Sequence, residues 1–183
     1  MTVKPKSLAD LMVLGALLLV PIGASAQNSN SAEHNGLLHE LQTSAFAYLM
    51  YEPVQVTYSV TNISGQPIAF EFPCTGWSQQ VVVYDPSGQL IWSDPNGCDD
   101  EMWSDTLGPG ESYLMMPTWD MFNYETWEFI DTPGVYTVEG RFPAFAPAGY
   151  AFSLSVDIII FDGTAQVADP SEATWGAIKA LYR

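Results

Sequence analysis

"VQVTYSVTN", residues 54–62, decides the fold. Val54, Val56, Tyr58 and Val60 fall on one face; Gln55, Thr57, Ser59 and Thr61 fall on the other. Successive strand side chains point to opposite faces, so this alternation predicts a half-buried strand. "ISGQ" turns the chain and "PIAFEF" (67–72) returns. "QVVVYD" (80–85), the turn "DPSG" and "QLIWS" (89–93) read as a hairpin. Further strands are predicted in "ESYLMMPTW" (111–119), "GVYTVEGRF" (134–142) and "YAFSLSVDIIIF" (150–161), with an earlier one around Leu37 to Gln42. Short strands at this spacing imply an all-β antiparallel sandwich of about seven to nine strands.

The flanks read differently. Residues 1–26 carry Lys4 and Lys6, an apolar run from Leu11 to Ile22, then Ala24-Ser25-Ala26. That is the layout of a signal peptide cut before Gln27. The run is well short of the roughly 20 residues that span a bilayer. The expected location is therefore secreted, periplasmic or cell-envelope. Residues 27–35 ("QNSNSAEHN") are polar and read as a flexible leader. The sandwich domain is expected over 36–163, and a linker with a C-terminal helix over 164–183. In "DPSEATWGAIKALYR" (169–183), Asp169 can cap, Pro170 suits the first turn, and Trp175, Ile178 and Leu181 share a face.

The chain has 21 acids and 5 bases; removing Lys4, Lys6 and Asp10 with the signal peptide leaves 20 and 3. Such a surface repels nucleic acid and anionic membranes. It favours cationic partners, or simply keeps an exported protein soluble. Cys74 and Cys98 are the only cysteines, so one intrachain disulfide is expected in an oxidising compartment. It would close a loop of about 25 residues, worth about 3 kcal/mol. Free thiols or a zinc half-site are the alternatives, and zinc fits poorly with His34 and His39 distant in sequence.

No catalytic pattern stands out. Two histidines and no G-x-S-x-G argue against a histidine triad. Neither a phosphate loop nor HExxH occurs. Asp94, Asn96, Asp99, Asp100 and Glu101 could offer oxygen ligands to calcium, but Gly97 comes too early for an EF-hand and Cys98 occupies a ligand position. No cofactor is expected, and the chain reads as a non-enzymatic one. A carboxylate-based glycosidase is the weakest reading.

The order of motifs resembles the BsuPI family of intracellular proteinase inhibitors. The resemblance spans roughly residues 52 to 142. It is carried by Val56, Thr61, Asn62 and Ser64; by Phe70 and Phe72; and by Asp85, Gly88, Ile91 and Trp92. Thr106, Leu107, Pro109, Gly110 and Glu111 continue it, then Trp119 and Asp120, then Pro133, Gly134, Tyr136, Val138 and Gly140. The resemblance implies an immunoglobulin-like sandwich and a protein that blocks subtilisin-type serine proteases. Trp92 and Tyr136 are expected in the core, Tyr136 as a corner tyrosine.

Two exposed clusters remain as candidate partner-binding surfaces. The first is the acidic loop, with Trp77, Asp99, Asp100, Glu101, Met102 and Trp103, rigidified by Cys74–Cys98. Its bland alternative is a stapled, solvated sandwich end. The second is "WDMFNYETWEF" (119–129), with Phe122, Tyr124 and Trp127, which is an interface unless it folds back as a lid. The partner is a serine protease on the family reading. The other reading is a structural or adhesion-type sandwich that binds a surface protein.

Overall fold

In the computed structural model, which describes residues 27–73, 80–94 and 102–163, the alternating stretch is a strand with the expected bounds. Fourteen strands occur among those residues: β1 (Asn28–His34), β2 (Leu37–Thr43), β3 (Ala47–Leu49), β4 (Val54–Asn62), β5 (Ile68–Phe72), β6 (Val81–Tyr84), β7 (Leu90–Ser93), β8 (Trp103–Leu107), β9 (Ser112–Met115), β10 (Thr118–Trp119), β11 (Phe122–Asn123), β12 (Glu128–Phe129), β13 (Gly134–Phe142) and β14 (Phe152–Phe161). One sheet is β1-β2-β4, with β9 and β10 both on the far side of β4. The second is β3-β14-β13-β6-β7, antiparallel except for the short β3–β14 pair. β5–β8 and β11–β12 are separate two-stranded ribbons. The result is the all-β, immunoglobulin-like sandwich that the strand spacing predicts.

Leu37, Leu41, Val56, Tyr58 and Val60 from the first sheet meet Val83, Tyr136, Val138, Phe142, Val156 and Ile158 from the second. Burying each large apolar side chain contributes about 1.5–3 kcal/mol. The sheets approach closely at Gly140. A Cβ there would lie 2.7–2.9 Å from three ring carbons of Tyr58, so the ring lies against bare backbone. The Tyr58 hydroxyl then meets Nδ1 of buried His39 at 3.0 Å. Tyr136 behaves as the expected corner tyrosine: its hydroxyl donates to the Thr132 carbonyl at 2.6 Å. Trp92 is in the core, also as expected.

The strand count exceeds the expected seven to nine for identifiable reasons. Residues 111–119 do not form one strand. Pro117 cannot donate to the ladder, so β9 and β10 pair with β4 as two pieces. The Pro117 carbonyl still accepts the Val56 amide at 3.0 Å, which keeps them aligned. Residues 27–35 are not a flexible leader: Asn28–His34 pairs antiparallel with β2 along its whole length. Asn28 and Asn30 also donate side-chain amides to the Asp157 and Ser155 carbonyls. Those carbonyls belong to the part of β14 that lies beyond its pairing with β3, so the asparagines cover an otherwise open edge. The expected signal peptide and C-terminal helix lie outside the described residues.

Two tests follow from this packing. Gly140→Ala forces a methyl into the Tyr58 ring and is expected to destabilise by about 1–3 kcal/mol in urea unfolding. His39 has no exposed surface, and burial, helped by the charge of His34, pushes its pKa down to about 4. The unfolded imidazole titrates near 6.5, so the unfolded chain binds more protons between those values. Stability is therefore expected to fall as pH drops from about 6.5 towards 4. His39→Gln, which can still reach the Tyr58 hydroxyl, should flatten the slope between pH 6.5 and 5, where carboxylates remain ionised.

Candidate functional site

The 119–129 stretch divides its aromatics between core and surface. Trp119 and Met121 are fully buried, and the Trp119 ring packs tilted against Tyr136, with centroids 5.7 Å apart. Its indole N–H donates to the Phe122 carbonyl at 3.1 Å, and the Ile130 amide donates to the Met121 carbonyl at 2.9 Å. Both ends of the β11–β12 hairpin are thus tied to the core. Beyond them the hairpin projects. Trp127 is 77% exposed, Phe129 54% and Tyr124 39%. Phe122 lies at the centre, with ring centroids 5.8 Å from Tyr124, 6.2 Å from Trp127 and 5.4 Å from Phe129. The lid alternative therefore applies to Trp119 and Met121 alone.

Tyr51 joins this patch from the loop before β4. Its ring is 6.1 Å from Phe129 and its amide donates to the Met121 sulfur at 3.1 Å. Nothing in the local sequence marks Tyr51, because only the fold brings residue 51 to residue 129. The backbone here is strained. Tyr51 (φ 71°), Met121 (φ 65°) and Trp127 (φ 60°) are left-handed, and the one other such non-glycine residue among those described is Asn35. Left-handed backbone costs an L-residue roughly 1–2 kcal/mol. Strain of this kind clusters at binding sites, where the surrounding structure holds it in place.

Local hydrogen bonds explain the turn. Asn123 Oδ1 accepts the Glu125 amide at 2.8 Å and the Thr126 amide at 3.3 Å, and the Trp127 amide donates to the Asn123 carbonyl at 2.9 Å. The Tyr124 amide donates to the Ile91 carbonyl at 2.9 Å, anchoring the hairpin on β7. A cleft of about 300 Å³ lies between the hairpin and the β6–β7 turn, lined by Asp85, Asn123, Thr126, Glu128, Asp131 and Tyr136 among others. Burial works to raise the Asp85 pKa. Hydrogen bonds from the Ser87 hydroxyl and from the Gln89, Ser87 and Gly88 amides outweigh it and hold the carboxyl below its usual value. Burial pushes Tyr136 up to about 12, with the charges of Asp85 and Asp131 adding to it.

Phe122, Tyr124 and Trp127 are thus brought together, with Tyr51 and Phe129. Of the acidic-loop candidates, Met102 and Trp103 are among the described residues. Trp77, Asp99, Asp100, Glu101, Cys74 and Cys98 lie outside the described residues, so the disulfide and its loops do too. Met102 is 67% exposed, but Trp103 is half-buried and stacks on Phe72 at 5.3 Å, a core contact where a partner-facing anchor was expected. Phe72 packs on Phe142 at the far end of β13 from Tyr136. Met102–Trp103 and the aromatic hairpin therefore sit towards opposite ends of the sandwich. No group of three or more His, Cys, Asp or Glu among the described residues could hold a metal ion.

Many residues of the sequence motif hold turns, and most of the others are in the core. Asn62 is fully buried; its amide donates to the Gln66 and Leu107 carbonyls at 2.8 Å, and its Oδ1 accepts from the Ser64 amide and hydroxyl. Glu111 accepts the Gly108 amide at 2.6 Å, and a Cβ on Gly134 would sit 2.6 Å from Pro86. These locks and the two sheets define an immunoglobulin-like sandwich whose turns are fixed by side-chain hydrogen bonds to the backbone. The chain belongs to the BsuPI family, the intracellular proteinase inhibitors, whose model matches residues 41–146. No curated protein matches the sequence.

Among solved structures, it is similar to a β-glucosidase from Erythrobacter marinus (12% identity, TM-score 0.40, covering 74% of this chain and 16% of that one). A β-glucosidase from Listeria innocua gives 17%, 0.36, 67% and 16%. The CARDB domain of a Pyrococcus furiosus protein in complex with di-metal ions gives 16%, 0.39, 72% and 93%. The chain spans 16% of the length of these glucosidases, and likenesses of this size bear on neither activity nor ligand.

Trp127 occupies a position whose backbone favours glycine. Trp127→Gly is expected to keep folding stability within about 1 kcal/mol of the parent in urea unfolding, because relieved strain offsets lost ring contacts.

Proposed function

We propose that this protein is an exported, non-enzymatic inhibitor of a subtilisin-type serine protease and grips it with the β11–β12 hairpin. The observation that carries this reading is the exposed ring cluster around Phe122, held by strained backbone and tied to the core at both ends. Membership of a proteinase-inhibitor family supplies the class of partner. Apolar patches of this kind mark interfaces. Aromatic anchors within a polar rim carry most of the energy of a protein contact. A hairpin ordered before binding avoids the entropy of ordering on contact.

The segment before Gln27 supports export, with its basic start, apolar run and small residues. Outside the cytoplasm the target is a secreted or envelope protease.

The test is a titration of the purified protein against subtilisin-type and trypsin-type proteases with casein as substrate, with and without dithiothreitol. Stoichiometric inhibition of the subtilisin type is expected. It should survive reduction, because the hairpin lies away from the ends that flank the cysteine loops. Trp127→Ala is expected to weaken it at least about tenfold. Full inhibition by Trp127→Ala would move the contact elsewhere. No inhibition of any protease at micromolar protein would defeat the proposal.

A further inference from the structure

We infer that the protease is held at a basic surface with an apolar centre, outside its catalytic groove, by a hairpin that is never threaded as a substrate. This rests on the protease-binding reading above. Two independent features of the hairpin lead to it.

The first is backbone geometry. A peptide that adds to a binding groove as a strand presents extended backbone with free main-chain groups. The hairpin tip is not extended, and its amides are already engaged. Trp127 is left-handed, and its amide is spent on the Asn123 carbonyl. The Glu125 and Thr126 amides are spent on Asn123 Oδ1. Met121, before the hairpin, is left-handed as well, and its carbonyl holds Ile130 on the far side. Extending residues 122–129 would break these bonds and the Trp119–Phe122 bond together. What the hairpin offers is side chains: Trp127, Phe129 and Tyr124, with Tyr51 beside them.

The second is charge. Glu125 and Glu128 sit on the hairpin, and Asp131 and Asp85 line the cleft next to it. Arg141 is the one Lys or Arg among the described residues. It is held elsewhere, by Glu139 at 3.2 Å and by the Tyr84 hydroxyl. Glu125, Glu128 and Asp131 therefore face solvent without a basic neighbour of their own chain among those residues. The complementary surface is an apolar socket ringed by Lys and Arg. A grip outside the groove obstructs protein substrates by bulk and leaves small substrates free to enter.

The experiment uses subtilisin in two forms: active, and with its substrate groove filled covalently by a peptidyl chloromethyl ketone. Affinity of the purified protein for each is measured at 50 and 500 mM NaCl, alongside hydrolysis of casein and of a small p-nitroanilide peptide. The expected result is the same Kd for both forms within about twofold, because a contact outside the groove is untouched by the block. Affinity is expected to fall at least about tenfold in high salt. Casein hydrolysis should be inhibited and p-nitroanilide hydrolysis spared, with the protein recovered uncut. Binding to active enzyme alone, with p-nitroanilide hydrolysis blocked or a cut within 122–129, overturns the inference and leaves protease binding standing. Affinity indifferent to salt overturns the basic surface. Binding to neither form overturns the protease-binding reading itself.

Discussion

The ring of Tyr58 lying on Gly140 is the contact on which the sandwich depends. It sets how closely the two sheets approach, because only a residue without Cβ leaves room for the ring. The same tyrosine reaches His39 through its hydroxyl, so one side chain spans from bare backbone in one sheet to a buried polar group in the other. His39 in turn packs against Phe142 and Phe152. A close-packed interior transmits such a constraint outward. Val138 and Val156, and Val56 and Val60, meet in the space that this contact defines.

The motif residues hold the ends of that core. Asn62 satisfies groups of the β4–β5 turn and of the β8 end, and its backbone pairs with Gly110 and Glu111 of the next turn. Asp85 closes the β6–β7 turn, and Tyr136 pins the corner above it. Family membership is thus written in turn chemistry. A buried polar group without its partner is costly, so Asn62 admits few replacements. The candidate contact surface lies beside these locks, in exposed residues: Tyr51, Tyr124, Trp127 and Phe129.

Strain and anchoring belong together in this hairpin. Left-handed Tyr51, Met121 and Trp127 persist because Trp119, Ile130 and Asn123 hold the chain around them. The sandwich supplies stability at one end of the hairpin, and the hairpin presents ordered aromatic surface at the other. An acidic surround directs such a patch towards cationic partners and away from nucleic acid and anionic membranes.

Period-two alternation by itself determined β4 with the bounds now seen, since a half-buried strand writes its two faces directly into its sequence, and a turn signal before β-rich residues marked β13. Turn residues likewise marked the β6–β7 hairpin, and Tyr136 was legible as a corner residue. "WDMFNYETWEF" was legible as an aromatic excess, though not as to which rings would be buried. Only the tertiary structure decided that Asn28–His34 is a strand, because its stabilising bonds go to β2 and to β14, and no apolar periodicity records them. Only the tertiary structure placed Trp103 on Phe72, and Tyr51 beside Phe129. Sequence pattern reports what one strand needs from its own two faces. Which residues meet across sheets and turns depends on contacts far apart in the chain, and it was these that assembled the candidate site.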